Sequence, residues 1–132
     1  MIERINPFQF SSFGTYSQAV TIDMGTKTMI LVAGQLALNE DGTPVAPGDF
    51  TAQTHFVFKR IQQVLQAAGA TLDDVVKALF FMTDAGKYQE VSDVRNQYFS
   101  VARPASAMVE ISNTVAEGCD VEIEVMAVID NP

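Results

Sequence analysis

The chain has 132 residues, with 16 acidic and 8 basic side chains, a formal net charge of -8 with its one His neutral, and 48% apolar residues. That balance excludes intrinsic disorder, which pairs low hydrophobicity with high net charge, and makes nucleic acid a poor partner, because phosphates are bound by Lys and Arg. One cysteine, Cys119, and one histidine, His55, leave no intramolecular disulfide, no cysteine-based metal cluster and no multi-His zinc site, so chemistry falls to carboxylates, hydroxyls and backbone groups.

A chain of this length builds one core without staples, so a single domain over residues 1–132 is expected. The segment Met1-Ile2-Glu3-Arg4-Ile5-Asn6 lacks the apolar run of a signal peptide, and the longest apolar stretches are strand-sized. A cytoplasmic location and no membrane contact are the expectation.

In chain order, Tyr16 to Ile22 and Thr28 to Ala33 are rich in β-formers around the turn residues Asp23-Met24-Gly25-Thr26, which predicts a hairpin. Asp41-Gly42 with Pro44 marks a second turn. From Phe50 to Ala68, apolar residues recur at spacings of three and four, with Asp49 as N-cap and Gly69 as C-terminal stop. Thr71 with Asp74 predicts a short capped turn. Val75 to Met82 then reads as a strand covered on both faces. Tyr88 to Phe99 keeps helical spacing, and two alternating strands follow, Ala105 to Ile111 and Val121 to Ile129. The order β-β-α-β-α-β-β predicts an α+β fold with two helices on one face of a mixed sheet. Met108, Met126 and Val128 are expected on the other face, which is apolar enough to suggest an oligomer.

Glu122 and Glu124 share one strand face about 7 Å apart. One of them could serve as a general base or water-positioning carboxylate, although pattern alone favours reading the two as the polar half of an amphipathic strand. Ser106 has no activating base nearby in sequence and reads as a polar strand residue. Tyr16 is either an aromatic anchor or a ligand-facing hydroxyl. His55 reads as a packing or surface histidine, and Cys119 has no adjacent cation to activate it. Gly34, ending its strand, suggests a close approach to the backbone.

Several segments together carry more. Thr15-Tyr16-Ser17-Gln18-Ala19-Val20, Val32-Ala33-Gly34-Gln35, Gly48-Asp49-Phe50-Thr51-Ala52-Gln53-Thr54, the run from Leu65 to Lys77, Pro104-Ala105 and Val121-Glu122-Ile123-Glu124 stand in a familiar order and spacing. Over nearly its whole length the chain resembles the RidA (YjgF, L-PSP endoribonuclease-like) family. The resemblance implies a chorismate-mutase-like fold, a homotrimer and small-molecule clefts between subunits. It also implies hydrolysis of reactive enamines and imines to carbonyl compounds and ammonia, with no cofactor and no metal. Glu122 matches the glutamate that holds the water and Tyr16 a ligand-contacting tyrosine, and the backbone of Ala107 and Met108 would border the cleft.

Three positions depart from the family pattern. Ser106 stands where family deaminases place an arginine that pairs with the substrate carboxylate as a bidentate fork. Ala33, before Gly34, replaces a serine, and Ser92 replaces an asparagine on the second helix. Arg103, three residues before Ser106, is not expected to substitute, because three strand residues reverse the face and span roughly 10 Å. Standard 2-imino acid deaminase activity is therefore expected to be weak or absent, with neutral or cationic ligands favoured over carboxylates. The leading reading is a hydrolase or deaminase of a small imine, enamine or related metabolite, using Glu122 with Tyr16 and Ser106 as hydrogen-bonding contacts. The alternative is a non-catalytic small-molecule binding or sensing trimer. A ribonuclease reading rests on the family's label alone, against the acidic charge and the absence of a catalytic His.

Overall fold

The computed structural model describes residues 1–9 and 14–132. Its strands are β1 (Ile2–Ile5), β2 (Ala19–Asp23), β3 (Lys27–Leu36), β4 (Val75–Met82), β5 (Ala105–Glu110) and β6 (Val121–Asp130), and its helices are α1 (Phe50–Ala67) and α2 (Tyr88–Tyr98). The strands form one sheet in the order β1-β2-β3-β6-β4-β5. Every neighbouring pair is antiparallel except β4 with β5, which run parallel because α2 carries the chain back across the sheet. No helix among the described residues is long and apolar enough to cross a membrane.

Local chemistry sets the element ends. The β2–β3 turn closes through the Met24 N–H on the Lys27 carbonyl, with Gly25 at φ 99°. Asp49 caps α1 by accepting from the Ala52 N–H at 2.9 Å. Gly69, at φ 87°, ends that helix in a paired motif: the Ala70 N–H reaches the Leu65 carbonyl and the Gly69 N–H reaches that of Gln66. Thr71 and Asp74 cap each other across a 3-10 turn, Leu72–Asp74.

Both helices cover the same face. Val57, Phe58, Ile61, Val64 and Leu65 of α1 and Val91 and Val94 of α2 pack on Ile30, Val32, Ala78, Phe80, Ile123 and Val125. Phe58 stacks on Tyr98 at 4.6 Å and meets Phe80 and Phe99 at steeper angles, joining the two helices and the sheet. The opposite face carries Leu31, Leu79, Phe81, Met126 and Val128, all half-buried, so β4 is sealed on one side only in the single chain.

Four expectations differ from the structure. The edge strand β1 does not follow from the sequence pattern, because Glu3 and Arg4 interrupt the apolar alternation and its residues are mostly exposed. β2 begins at Ala19, leaving Tyr16 in a loop, because the Gln18 backbone N–H donates to the Asn6 side chain rather than to a neighbouring strand. β4 has one half-buried face rather than two sealed ones. Met108 lies on the helix-covered face: it pairs in parallel register with fully buried Phe80 and packs against the core.

Candidate functional site

β3 and β6 bring Glu122 over Gly34. Their pairing is interrupted by an irregularity between Val32 and Gln35, which sets Gly34 under the neighbouring strand. A Cβ at position 34 would overlap the Glu122 carboxylate and stand 2.9 Å from its carboxyl carbon. Gly34 is thus a glycine because a carboxylate lies against its backbone, the close approach anticipated from the sequence. Burial, and next the negative charge of Glu124 on the same face, hold the Glu122 carboxyl above the ordinary glutamate value. Glu122 is half-buried, and its carboxylate accepts no hydrogen bond from the described residues.

Ser106 faces the other way. On β5 it pairs with buried Ala78, and its side chain lines a cavity of about 400 Å3 between β5 and the end of α2, with Arg95, Asn96, Phe99, Ser100, Arg103 and Pro104. Ser92, 4% exposed, supports this cavity indirectly: its hydroxyl accepts from the Arg95 guanidinium at 2.7 Å. Arg103 shares the cavity with Ser106, contrary to the expectation from strand geometry. The residue lies in the turn before β5 at φ 45°, where the alternation of a strand does not apply. The cavity beside Ser106 thus has two arginines among its lining residues and carries positive charge, although position 106 itself is a serine.

Ala107 is exposed on the outer face of the edge strand β5, while the half-buried Met108 side chain packs against the core on the other face. Ala33 lines a groove of about 690 Å3 on the outer sheet face with Ser17, Leu31, Leu79 and Met126. Tyr16 is 51% exposed and adjoins Ser17 in the loop leading to β2. The structure thus joins Glu122 to Gly34, and Ser92 to the Ser106 cavity through Arg95. It does not join these two groups within one chain, because Glu122 and Ser106 point to opposite faces of the sheet.

The remaining reactive side chains are occupied. His55 Nδ1 lies 3.0 Å from the Tyr98 hydroxyl, a packing role. Cys119 is buried, and burial pushes its thiol up. Among the described residues, no three His, Cys, Asp or Glu side chains are grouped to hold a metal. Sequence reasoning missed Arg95 as a cavity residue, although its spacing of three from Ser92 places both on one side of α2.

The sequence profile of the family described as Endoribonuclease L-PSP matches residues 8–129. Protein DfrA of Myxococcus xanthus is 37% identical over 117 residues, 89% of this chain and 87% of that one. The 2-iminobutanoate/2-iminopropanoate deaminase of Capra hircus is 33% identical over 118 residues, 89% of this chain and 82% of its own. In three dimensions the chain is similar to the Rid-family protein YyfA of Yersinia pestis, whose function is unknown, with TM-score 0.85 and 35% identity over 98% of this chain and 100% of that one. With the profile spanning nearly all of the sequence and the sheet and helices superposing throughout, the chain belongs to the RidA/YjgF (L-PSP endoribonuclease-like) family.

Proposed function

We propose that this protein hydrolyses a small imine or enamine to a carbonyl compound and ammonia, with Glu122 as the water-positioning carboxylate. The observation that carries the proposal is the half-buried Glu122 carboxyl lying over the Gly34 backbone, in a chain whose relatives include named 2-iminobutanoate/2-iminopropanoate deaminases. A carboxyl raised toward neutrality serves both directions of proton transfer better than one of ordinary acidity.

The reaction follows from these groups. Water held by the Glu122 carboxylate adds to the C=N carbon, and its proton passes through the carboxylate to the nitrogen. The resulting carbinolamine collapses, its hydroxyl proton moving to nitrogen as the C–N bond breaks. Ammonia leaves and the C=O bond forms, so imine and water balance carbonyl and ammonia.

The same proposal makes the site composite. Glu122 and the Ser106 cavity face opposite sides of one sheet, so a ligand touching both needs two chains. A homotrimer, with ligand clefts between copies, supplies that arrangement and covers the apolar outer face. Tyr16 and the backbone of Ala107 and Met108 would border such a cleft, in a cytoplasmic protein. Short 2-imino acids are expected to be poor substrates here, because the arginines beside Ser106 come from α2 and from the turn before β5 rather than from position 106, where the family places the carboxylate-pairing fork.

The test is ammonia release from imines generated in situ, comparing a short 2-imino acid with a neutral imine of similar size. Turnover of some imine, with the short 2-imino acid slower than in the deaminase of Capra hircus, is expected. Ligand binding without turnover of any imine would leave a binding or sensing protein instead.

A further inference from the structure

Only 8 basic side chains serve this acidic chain, yet two of them, Arg95 and Arg103, line one cavity beside Ser106. Neither forms a salt bridge with a carboxylate among the described residues, whereas Lys27 and Lys87 each do. Arg95 is fixed without being neutralised. Its guanidinium donates to the buried Ser92 hydroxyl at 2.7 Å and to the Asn96 side-chain oxygen at 3.2 Å, both uncharged partners. An arginine carries five N–H donors, so most of its capacity remains available to the cavity.

Arg103 is placed there by an unusual backbone. It is one of two non-glycine residues at positive φ among those described, at 45°, and its N–H donates to the Phe99 carbonyl at 3.0 Å, tying the turn to the end of α2. A side chain held in the left-handed region is uncommon, and such conformations concentrate where function demands them. Its guanidinium has no hydrogen-bond partner among the described residues. The hydroxyls of Ser100 and Ser106 add neutral donors to the same walls.

Two like charges on one small cavity repel each other, and an anion between them turns that repulsion into attraction. Two guanidinium forks match the oxygens of a tetrahedral dianion in charge and in geometry. We propose that the Arg95–Arg103–Ser106 cavity is a binding subsite for the phosphoryl group of a small phosphomonoester. A single carboxylate satisfies only one of the two forks. The consequence for substrate class, a phosphorylated imine, rests on the hydrolase proposal above; the subsite itself does not.

Titration of inorganic phosphate into the full-length protein at neutral pH and low ionic strength, followed by calorimetry, tests it, with acetate as the monoanion. One phosphate per chain is expected, at least tenfold tighter than acetate. Arg95→Gln and Arg103→Gly should each weaken phosphate at least tenfold, while Lys59→Gln on the exposed side of α1 leaves it unchanged. Glycine suits the φ of 45° at position 103, so Arg103→Gly keeps the fold and its melting temperature while losing the anion. Absence of phosphate binding, equal binding by Arg103→Gly, or acetate bound as tightly as phosphate would each overturn the proposal. Phosphate binding in a protein that hydrolyses no imine would refute the hydrolase proposal alone.

Discussion

Glu122 is held where ionisation is costly: partly out of water, beside Glu124, with no donor from the described residues to stabilise its negative form. Its folded pKa is therefore raised, and a raised acid contributes stability below its unfolded value that is lost as pH climbs through the folded one. Glu122→Gln should accordingly be more stable than the parent at neutral pH, with the difference closing below the ordinary value of 4.5, as read by thermal melts across pH. A lower melting temperature for the variant at neutral pH would contradict this placement. Gly34 offers a second residue-scale test. An alanine there meets the end of a flexible side chain, so the strand tolerates it while the carboxylate is displaced. Gly34→Ala should lower kcat about 100-fold, the order expected for misplacing a catalytic group by an ångström, with little change in the urea midpoint.

Among the elements, α1 does more than cover the sheet. Gln53, fully buried on its first turns, donates to the carbonyls of Val45, Ala46 and Gly118 and accepts from the Asp120 N–H at 2.7 Å. One amide thus fastens the loop before α1 to the loop that leads into β6, which carries Glu122. Gln53→Ala leaves those groups buried and unpaired and should cost about 3 kcal/mol in chemical denaturation. Much of this level was legible in the sequence: both helices, the Asp49 cap, the Gly69 stop and the alternation of β5 and β6 follow from periodicity and turn chemistry. What was not legible involves partners distant in sequence. Alternation at Met108 sets two faces but not which of them meets the helices, and the buried Gln53 looks from sequence like an ordinary polar interruption. Arg103 shows the same limit: strand arithmetic applied to a residue that stands in a turn.

At the scale of the whole molecule, the sheet has one face sealed by helices and another, with Leu31, Leu79 and Met126, only half-buried in a single chain. The proposed trimer should appear by native mass spectrometry at about three times the chain mass of 14.4 kDa. Leu31→Lys should yield a folded monomer, because a charge on that face is cheap in water and costly in an interface. That monomer should also lose turnover, since Glu122 and the Ser106 cavity would no longer share a cleft; a fully active monomer would contradict the composite site. The family resemblance supplied Glu122, Tyr16 and Ser106 as candidates from sequence, while the placement of Glu122 and Ser106 on opposite sheet faces required the fold. The most direct test of the central claim is the rate of ammonia release by Glu122→Gln against the parent, on whichever imine the parent turns over fastest. The proposed mechanism predicts a loss of about 100-fold or more with ligand affinity largely retained; an undiminished rate would contradict it.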